Sequence, residues 1–345
     1  MNGRGKYRWL ATLAQFAVIV IVIGSIIWAV MVYTSRLSAP GPLPDGWTVY
    51  ADGFRTLAIV ERDGIMWAGG RDGLVGLDRE TGQIVEEPQN DPPFEFVFSL
   101  VIDDENILWI AHNSGLTRYD GNAFHTLTEA DGLPSNHVRS LAVDGSGRLW
   151  VGTLYGAAVM ENGIFTVMGV NDGLPDEMVN VILCDSLGGV WFGSYSAPDG
   201  GIGILRHDGE VQFFNVENGL PHTDVTYLYE ESEGVVWAGT GLVDRGGACR
   251  FEWNGNEWTI SEVLDESNGL AANKVRSIFS DSAGSFWFGH EYDGVTRMSD
   301  GNIEFFNKST GLPGNEVTCI IQDSTGAIWL GTLAGIVRIE SDNRV

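Results

Sequence analysis

The feature that most constrains the fold of this chain is a tryptophan that recurs at nearly regular intervals, with a glycine or alanine two places after it. Seven such tryptophans occur, and the distances between neighbours are 42, 41, 41, 46, 50 and 42 residues. They are Trp67, Trp109, Trp150, Trp191, Trp237, Trp287 and Trp329. A period of 40 to 50 residues is typical of propeller blades, each of which is built from four antiparallel strands.

Two further positions keep the same register. An acid stands six residues before each tryptophan, and a valine stands twelve residues before it in six of the seven repeats. The acids are Glu61, Asp103, Asp144, Asp185, Glu231, Asp281 and Asp323, and the valines are Val97, Val138, Val179, Val225, Val275 and Val317. Because an Asp side chain holds the backbone amides of a turn, we interpret these acids as turn residues rather than as a catalytic or metal-binding array.

The third repeat shows how each unit folds. Its apolar runs predict strands at 138–143, 149–153, 156–160 and 164–168, and Gly-Leu-Pro at 173–175 ends the unit. The seventh repeat runs out after its third strand, while an unclaimed strand at 47–50 precedes the first repeat. We therefore predict an all-β, seven-bladed β-propeller over residues 45–345, closed by strand 47–50 pairing with the last blade.

The N-terminus has a different composition. Residues 9–34 contain no charged side chain, and about 20 apolar residues are enough for a helix to cross a bilayer. The run is too long for the core of a cleaved signal peptide, which is the alternative. Basic residues precede it, so we predict a cytoplasmic tail at 1–8, a single transmembrane helix at 9–34 and a linker at 35–44. This places the chain in the cytoplasmic membrane, with the propeller extracytoplasmic.

Charge and cysteine content narrow the list of partners. The chain has 20 basic and 46 acidic residues, a formal net charge of −26. Such a surface repels phosphate backbones, so we expect no nucleic-acid partner. Three cysteines are too few for a disulfide framework, and we interpret them as buried free thiols. No spacing typical of metal ligands or of a catalytic triad occurs, so we predict no cofactor and no enzymatic activity.

The motif GLPxxxVxxIxxDxxGxxWxGTxxG, seen most fully at 132–156 and 311–335, resembles the two-component regulator propeller repeat. The resemblance extends over about residues 45–345. It implies a periplasmic sensor propeller of the kind found in bacterial sensor kinases, often hybrid ones, many of which are implicated in oligosaccharide sensing. No kinase segment or second span follows the repeats, so the resemblance implies signalling through a partner membrane or envelope protein.

Candidate binding residues are expected where the loops between blades and the loops joining second and third strands share one end of the ring, here called the top. The linker feeds the other end, so the top should point away from the membrane. Longer loops are predicted there at 194–200, 240–246 and 263–268. The candidates are His112, His137, Arg139, Tyr155, Tyr195, His222, Arg276, His290 and Tyr292. Aromatic rings can stack on sugars and cations can pair with a carboxylate, although each of these residues also fits a plain surface role.

Three functions fit these observations. The first is a ligand-binding or sensor module for an oligosaccharide or another small ligand. The second is an exported enzyme, such as a polysaccharide lyase or hydrolase, with rim His, Tyr and Arg as base, acid and charge stabiliser. The third is a protein-interaction scaffold. The repeat resemblance and the lack of a catalytic motif favour the first.

Overall fold

A computed structural model describes residues 39–88, 94–195 and 200–340. Within these residues the chain forms seven four-stranded antiparallel sheets, so the prediction of an all-β, seven-bladed propeller is confirmed. Successive strands within each sheet are joined by tight turns, as the high glycine content indicates.

The strands are numbered in chain order, and β1 (Trp47–Tyr50) belongs to the last blade. Blades 1 and 2 contain β2 (Thr56–Arg62), β3 (Ile65–Gly70), β4 (Gly73–Asp78), β5 (Ile84–Glu86), β6 (Ser99–Ile102), β7 (Leu108–His112), β8 (Gly115–Tyr119) and β9 (Phe124–Leu127). Blades 3 and 4 contain β10 (Val138–Val143), β11 (Leu149–Thr153), β12 (Gly156–Glu161), β13 (Ile164–Met168), β14 (Val179–Cys184), β15 (Val190–Ser194), β16 (Ile202–Leu205) and β17 (Val211–Phe214). Blades 5 to 7 contain β18 (Val225–Ser232), β19 (Val235–Leu242), β20 (Arg245–Trp253), β21 (Trp258–Leu264), β22 (Val275–Ser280), β23 (Phe286–His290), β24 (Val295–Ser299), β25 (Asn302–Phe306), β26 (Val317–Gln322), β27 (Ile328–Thr332) and β28 (Gly335–Ile339).

The first strand of each blade contacts the first strands of both neighbouring blades. These contacts run from β2 round to β26, and β26 in turn contacts β2, so the inner strands form a closed ring. The seventh sheet has the order β1-β28-β27-β26. In it β1 pairs antiparallel with β28, from Trp47 opposite Ile339 to Tyr50 opposite Ile336. Both ends of the described chain therefore share one blade.

The hydrophobic core lies between blades rather than within them. Where the ring closes, Trp329 and Ile336 of blade 7 pack in one buried cluster with Ile59 and Met66 of blade 1. Comparable clusters fill the other interfaces, each with at least one of the repeated tryptophans. A flat sheet buries both of its faces only against neighbours, which explains why the tryptophan recurs once per blade.

The Gly-Leu-Pro motif has a defined local structure. A one-turn 3₁₀ helix precedes it in four blades, at Glu129–Asp131, Val170–Asp172, Val216–Asn218 and Lys308–Thr310. The glycine that follows ends the turn in the left-handed region, with φ of 107° at Gly132, which favours glycine there. The next residue, Leu133, is buried between blades 2 and 3. The motif therefore ends one blade and anchors the next.

Two of the predicted loops differ from the structure. The predicted loop at 240–246 is instead an extended hairpin, because β19 continues to Leu242 and β20 begins at Arg245. Likewise β21 runs to Leu264, so the loop predicted at 263–268 begins two residues later than predicted. The predicted tail at 1–8 and transmembrane helix at 9–34 lie outside the described residues. No helix within the described ranges is long and apolar enough to cross a membrane.

Candidate functional site

The candidate site is built from one repeat position, which is the second residue of the inner strand in six blades and the residue just before β6 in blade 2. The residue before it, Thr56 or the repeated valine, is fully buried in every blade. The residues at the second position differ from blade to blade, yet all seven line a single cavity of about 530 Å³ on the ring axis. We call them the axial residues: Leu57, Phe98, Arg139, Asn180, Thr226, Arg276 and Thr318. We call the cavity the funnel.

A backbone irregularity places these side chains. In six blades the pairing of the inner strand with its neighbour shifts by one residue across the axial position. In blade 3, for example, Val138 lies opposite Thr153 and Ser140 opposite Gly152, which leaves Arg139 unpaired. Such a β-bulge bends the strand and redirects the extra side chain, and bulges of this kind are common next to binding sites. The buried valine therefore stabilises the blade, and the bulged residue after it faces the funnel.

Residues from the top loops complete the funnel. Arg71, Asn113 and Tyr195, which follow the second strands of blades 1, 2 and 4, line it together with the axial residues. The funnel thus opens at the end of the ring predicted to be the top. Its volume is within the range of sites that hold small molecules.

Arg139 is held by neutral partners. Its Nη2 donates a hydrogen bond of 3.3 Å to Oδ1 of Asn180, and its guanidinium carbon lies 4.3 Å from the centroid of the Phe98 ring. Asn180 is itself fixed, because its Nδ2 donates to the Val225 carbonyl at 2.9 Å. Burial, and then the positive charge of Arg276, lower the pKa of Arg139 below its ordinary value. Within the described part of the chain, no carboxylate forms an ion pair with this guanidinium.

Arg276 has a different environment. It lies 3.6 Å from a carboxylate oxygen of Glu291 and 3.5 Å from one of Glu316. Glu291 also accepts a 2.5 Å contact from the ammonium of Lys274, a side chain that is only 4% exposed. Burial opposes ionisation of Glu291, but hydrogen bonds from Lys274 and Tyr292 and the positive charges of Lys274 and Arg276 together outweigh it and keep that pKa below its ordinary value. Arg276 is therefore one member of a compensated charge network.

An aromatic surface borders Arg139. The rings of Phe96 and Phe98 are stacked, with centroids 6.1 Å apart and planes inclined by 21°. Phe96 remains 39% exposed, and its φ of 51° places a bulky residue in the left-handed region. A backbone outlier of this kind has an energetic cost, and such outliers cluster at ligand sites.

Three of the nine predicted site residues line the funnel: Arg139, Tyr195 and Arg276. His112 and His290 are placed differently from the prediction, because both are buried within their blades instead of standing on the rim. Each takes the place of the Thr or Ser that usually ends the second strand. The Nε2 of each bonds a threonine hydroxyl of the third strand at 2.8 Å, Thr117 and Thr296 respectively. Burial lowers the pKa of His112 to about 4 and that of His290 to about 3.

The other four predicted residues lie outside the funnel. His137, Tyr155 and Tyr292 are exposed, Tyr155 more so than Tyr292. The Nδ1 of His222 accepts a hydrogen bond from the backbone amide of Asp224 at 3.0 Å. Among the residues that the structure describes, no group of three His, Cys, Asp or Glu side chains could hold a metal ion.

Sequence reasoning missed most of the funnel. It selected Arg139 and Arg276 because they follow a repeated valine, but it did not extend that observation to the other repeats. The same rule identifies Phe98, Asn180, Thr226 and Thr318 directly from the sequence. Leu57 follows Thr56, which replaces the valine in blade 1, and therefore requires the strand alignment.

Comparison with known proteins agrees with this architecture. The family model described as two component regulator propeller matches residues 132–155, 173–196 and 311–334. Three of the seven repeats therefore match the two component regulator propeller repeat. The matched segments begin at or beside Gly-Leu-Pro and run past the repeated tryptophan in blades 3, 4 and 7. A comparison with curated protein sequences finds no match.

Solved structures with a similar fold include propellers of two kinds. The extracellular domain of BT3049, described as a hybrid two component system from B. thetaiotaomicron, has a TM-score of 0.73 at 20% identity, covering 88% of this chain and 42% of that one. The corresponding domain of BT4673 has a TM-score of 0.68 at 18% identity, covering 86% and 40%. Virginiamycin B lyase from Staphylococcus aureus has a TM-score of 0.66 at 16% identity, covering 86% and 98%. The chain thus spans less than half the length of the first two structures, and the likeness is one of fold.

Proposed function

We propose that this chain is an extracytoplasmic sensor propeller that binds a small ligand or an oligosaccharide end in the funnel and acts through a partner membrane or envelope protein. In this proposal residues 9–34 anchor the propeller in the cytoplasmic membrane. The repeat family and the description of BT3049 as an extracellular domain support the placement. The uncharged run at 9–34 supports the anchor.

The observation that carries the proposal is the contrast between two adjacent positions of the inner strands. The first position is fully buried in every blade, and six of the seven blades use valine there. At the second position the blades use five different side-chain types around one cavity, including two guanidiniums, an amide and an aromatic ring. A residue set that differs while its scaffold repeats is expected where a ligand is recognised.

The test is to fill the funnel without removing a charge. Leu57 lines the funnel and is half-buried, so Leu57→Trp places an indole in the cavity. The matched control is Ile164→Trp, since Ile164 is 71% exposed on the outer strand β13. Thermal unfolding of both variants and the wild type would be followed against a panel of oligosaccharides and small metabolites.

We expect at least one compound to raise the melting temperature of the wild type and of Ile164→Trp but not of Leu57→Trp. A ligand that stabilises all three chains equally would place binding outside the funnel and contradict the proposal. A complete lack of stabilisation by any compound in a folded wild type would favour the scaffold hypothesis instead.

A further inference from the structure

The funnel is electrostatically asymmetric. Of its two axial arginines, Arg276 has two carboxylate neighbours, whereas Arg139 contacts an amide and a ring. In a chain with 46 acidic residues, a half-buried guanidinium that pairs with no described carboxylate is unusual. A charge removed from water without a counter-ion has an energetic cost, and an anionic ligand would remove that cost.

The geometry leaves Arg139 able to receive an anion. A guanidinium has five N–H donors, and the side-chain acceptor that Arg139 contacts, Asn180, uses one of them. Asn180 is locked by its own bond to Val225, so it fixes the direction in which the guanidinium points. Phe98 covers one face of the guanidinium, which leaves the edge with its remaining donors available. An edge with parallel N–H groups matches a carboxylate in bidentate fashion.

The surroundings of Arg139 also define the rest of the ligand. The Phe96 ring continues the Phe98 surface and stays 39% exposed on the funnel wall. A flat apolar group attached to the anion would cover this exposed surface. The cavity of about 530 Å³ limits the ligand to a small molecule.

We infer that the funnel binds a small molecule that carries a carboxylate, or another oxyanion, beside a flat apolar face. The oxyanion pairs with Arg139, and the flat face packs on Phe96 and Phe98. Asn180 acts as the positioning residue for the guanidinium. This inference rests on the proposed function, since it names the chemical class of the ligand that the funnel takes.

The experiment uses simple probes and the full chain. Benzoate, phenyl phosphate and benzenesulfonate each carry a ring and an oxyanion, and benzamide is the neutral isostere of benzoate. Binding of each would be measured by calorimetric titration to the wild type, Arg139→Gln and Arg139→Lys. Arg118→Gln is the matched control, because Arg118 is paired with Asp120 and is not part of the funnel.

We expect the wild type and Arg118→Gln to bind benzoate at least tenfold more tightly than benzamide. Arg139→Gln should lose that preference, and Arg139→Lys should keep part of it, since a lysine retains the charge but not the fork of donors. The oxyanion that binds most tightly identifies the class of the natural ligand's acidic group. Comparison of benzoate with benzamide on the wild type needs no variant, so the test survives poor folding of Arg139→Gln.

Two results would overturn the inference. Equal binding of benzoate and benzamide to the wild type, or a benzoate preference that Arg139→Gln retains, would show that Arg139 does not select an anion. If one of these results is found but Leu57→Trp still blocks a ligand from the wider panel, the proposed function stands and only this inference is wrong. If Leu57→Trp blocks nothing, both fall.

Discussion

At the scale of single residues, the repeated acid and the repeated tryptophan are partners. In six blades the indole Nε1 donates to the carboxylate of the acid six residues earlier, at 2.7 to 2.8 Å. In blade 4 the same carboxylate, that of Asp185, also accepts from the Gly189 amide. One acid therefore closes the turn and satisfies the only polar atom of a buried ring, which explains why the two residues keep their spacing.

We predict that Asp185→Ala lowers the free energy of unfolding by at least about 2 kcal/mol. The substitution leaves the indole of Trp191 and the amide of Gly189 buried without their acceptor, and each such donor costs about 1–3 kcal/mol. Asp185→Asn keeps one acceptor oxygen and should lose less. Guanidinium denaturation measures both, with Glu161→Ala as the exposed control expected to change stability by no more than about 0.5 kcal/mol. Similar losses for Asp185→Ala and Glu161→Ala would contradict the role assigned to the turn acid.

At the scale of elements, blade 7 is the blade whose outer strand is not joined to its neighbour by a turn. Its outer strand β1 comes from the other end of the propeller, and only pairing with β28 and side-chain packing hold it. The Trp47 ring lies 4.8 Å from that of Phe306 of blade 6, and Trp47 and Val49 pack against the buried cluster between blades 6 and 7. Turn contacts also link the ring here, since Glu61 of blade 1 accepts from the amide and hydroxyl of Ser324 in blade 7.

We predict that Trp47→Ala destabilises the propeller by about 2–3 kcal/mol, roughly half to two-thirds of the cost for a fully buried tryptophan. The substitution removes packing from the strand that closes the ring, so β1 covers the edge of β28 less stably. Phe213→Ala is the matched control, because Phe213 is 47% exposed on β17, the outer strand of blade 4, which its own hairpin holds in place. The midpoint of chemical unfolding should fall further for Trp47→Ala. An equal or larger fall for Phe213→Ala would show that closure by β1 adds no special stability.

At the scale of the whole molecule, the chain combines a strong negative charge with a cationic funnel. The formal net charge is −26, whereas Arg71, Arg139 and Arg276 gather around one cavity. Like charges spread over a closed ring repel one another and oppose folding. This repulsion is stronger at low ionic strength, where salt screens it less.

We predict that the melting temperature rises as ionic strength increases from about 0.01 M to about 0.15 M, where the Debye length falls from about 30 Å to about 8 Å. Sodium chloride and tetramethylammonium chloride should act alike, because the effect comes from screening. Scanning calorimetry in the two salts tests this. A melting temperature that falls with salt would mean that attractive pairs outweigh the net repulsion.

How much the sequence determined follows from where each interaction lies along the chain. The number of blades, the four strands of blade 3 and the turns at the acids depend on contacts within one repeat. Because the same pattern occurs seven times, these features can be predicted from the sequence. Of the three predicted residues that do line the funnel, Arg139 and Arg276 came from the same periodicity, whereas Tyr195 came from a predicted top loop. Period-based reasoning can identify such residues because each blade repeats the environment of the one before.

Only the tertiary structure decided which side chains meet. Arg139 and Asn180 lie 41 residues apart and join because two inner strands run side by side at the axis. The bulge that turns Arg139 toward the funnel interrupts the two-residue alternation of a strand, and no hydrophobic pattern shows it. His112 and His290 were predicted on the rim but are buried, because their burial depends on how the third strand packs across them. The blades form from interactions within one repeat, which the sequence shows. The site forms because strands distant in sequence meet at one axis, which only the tertiary structure shows.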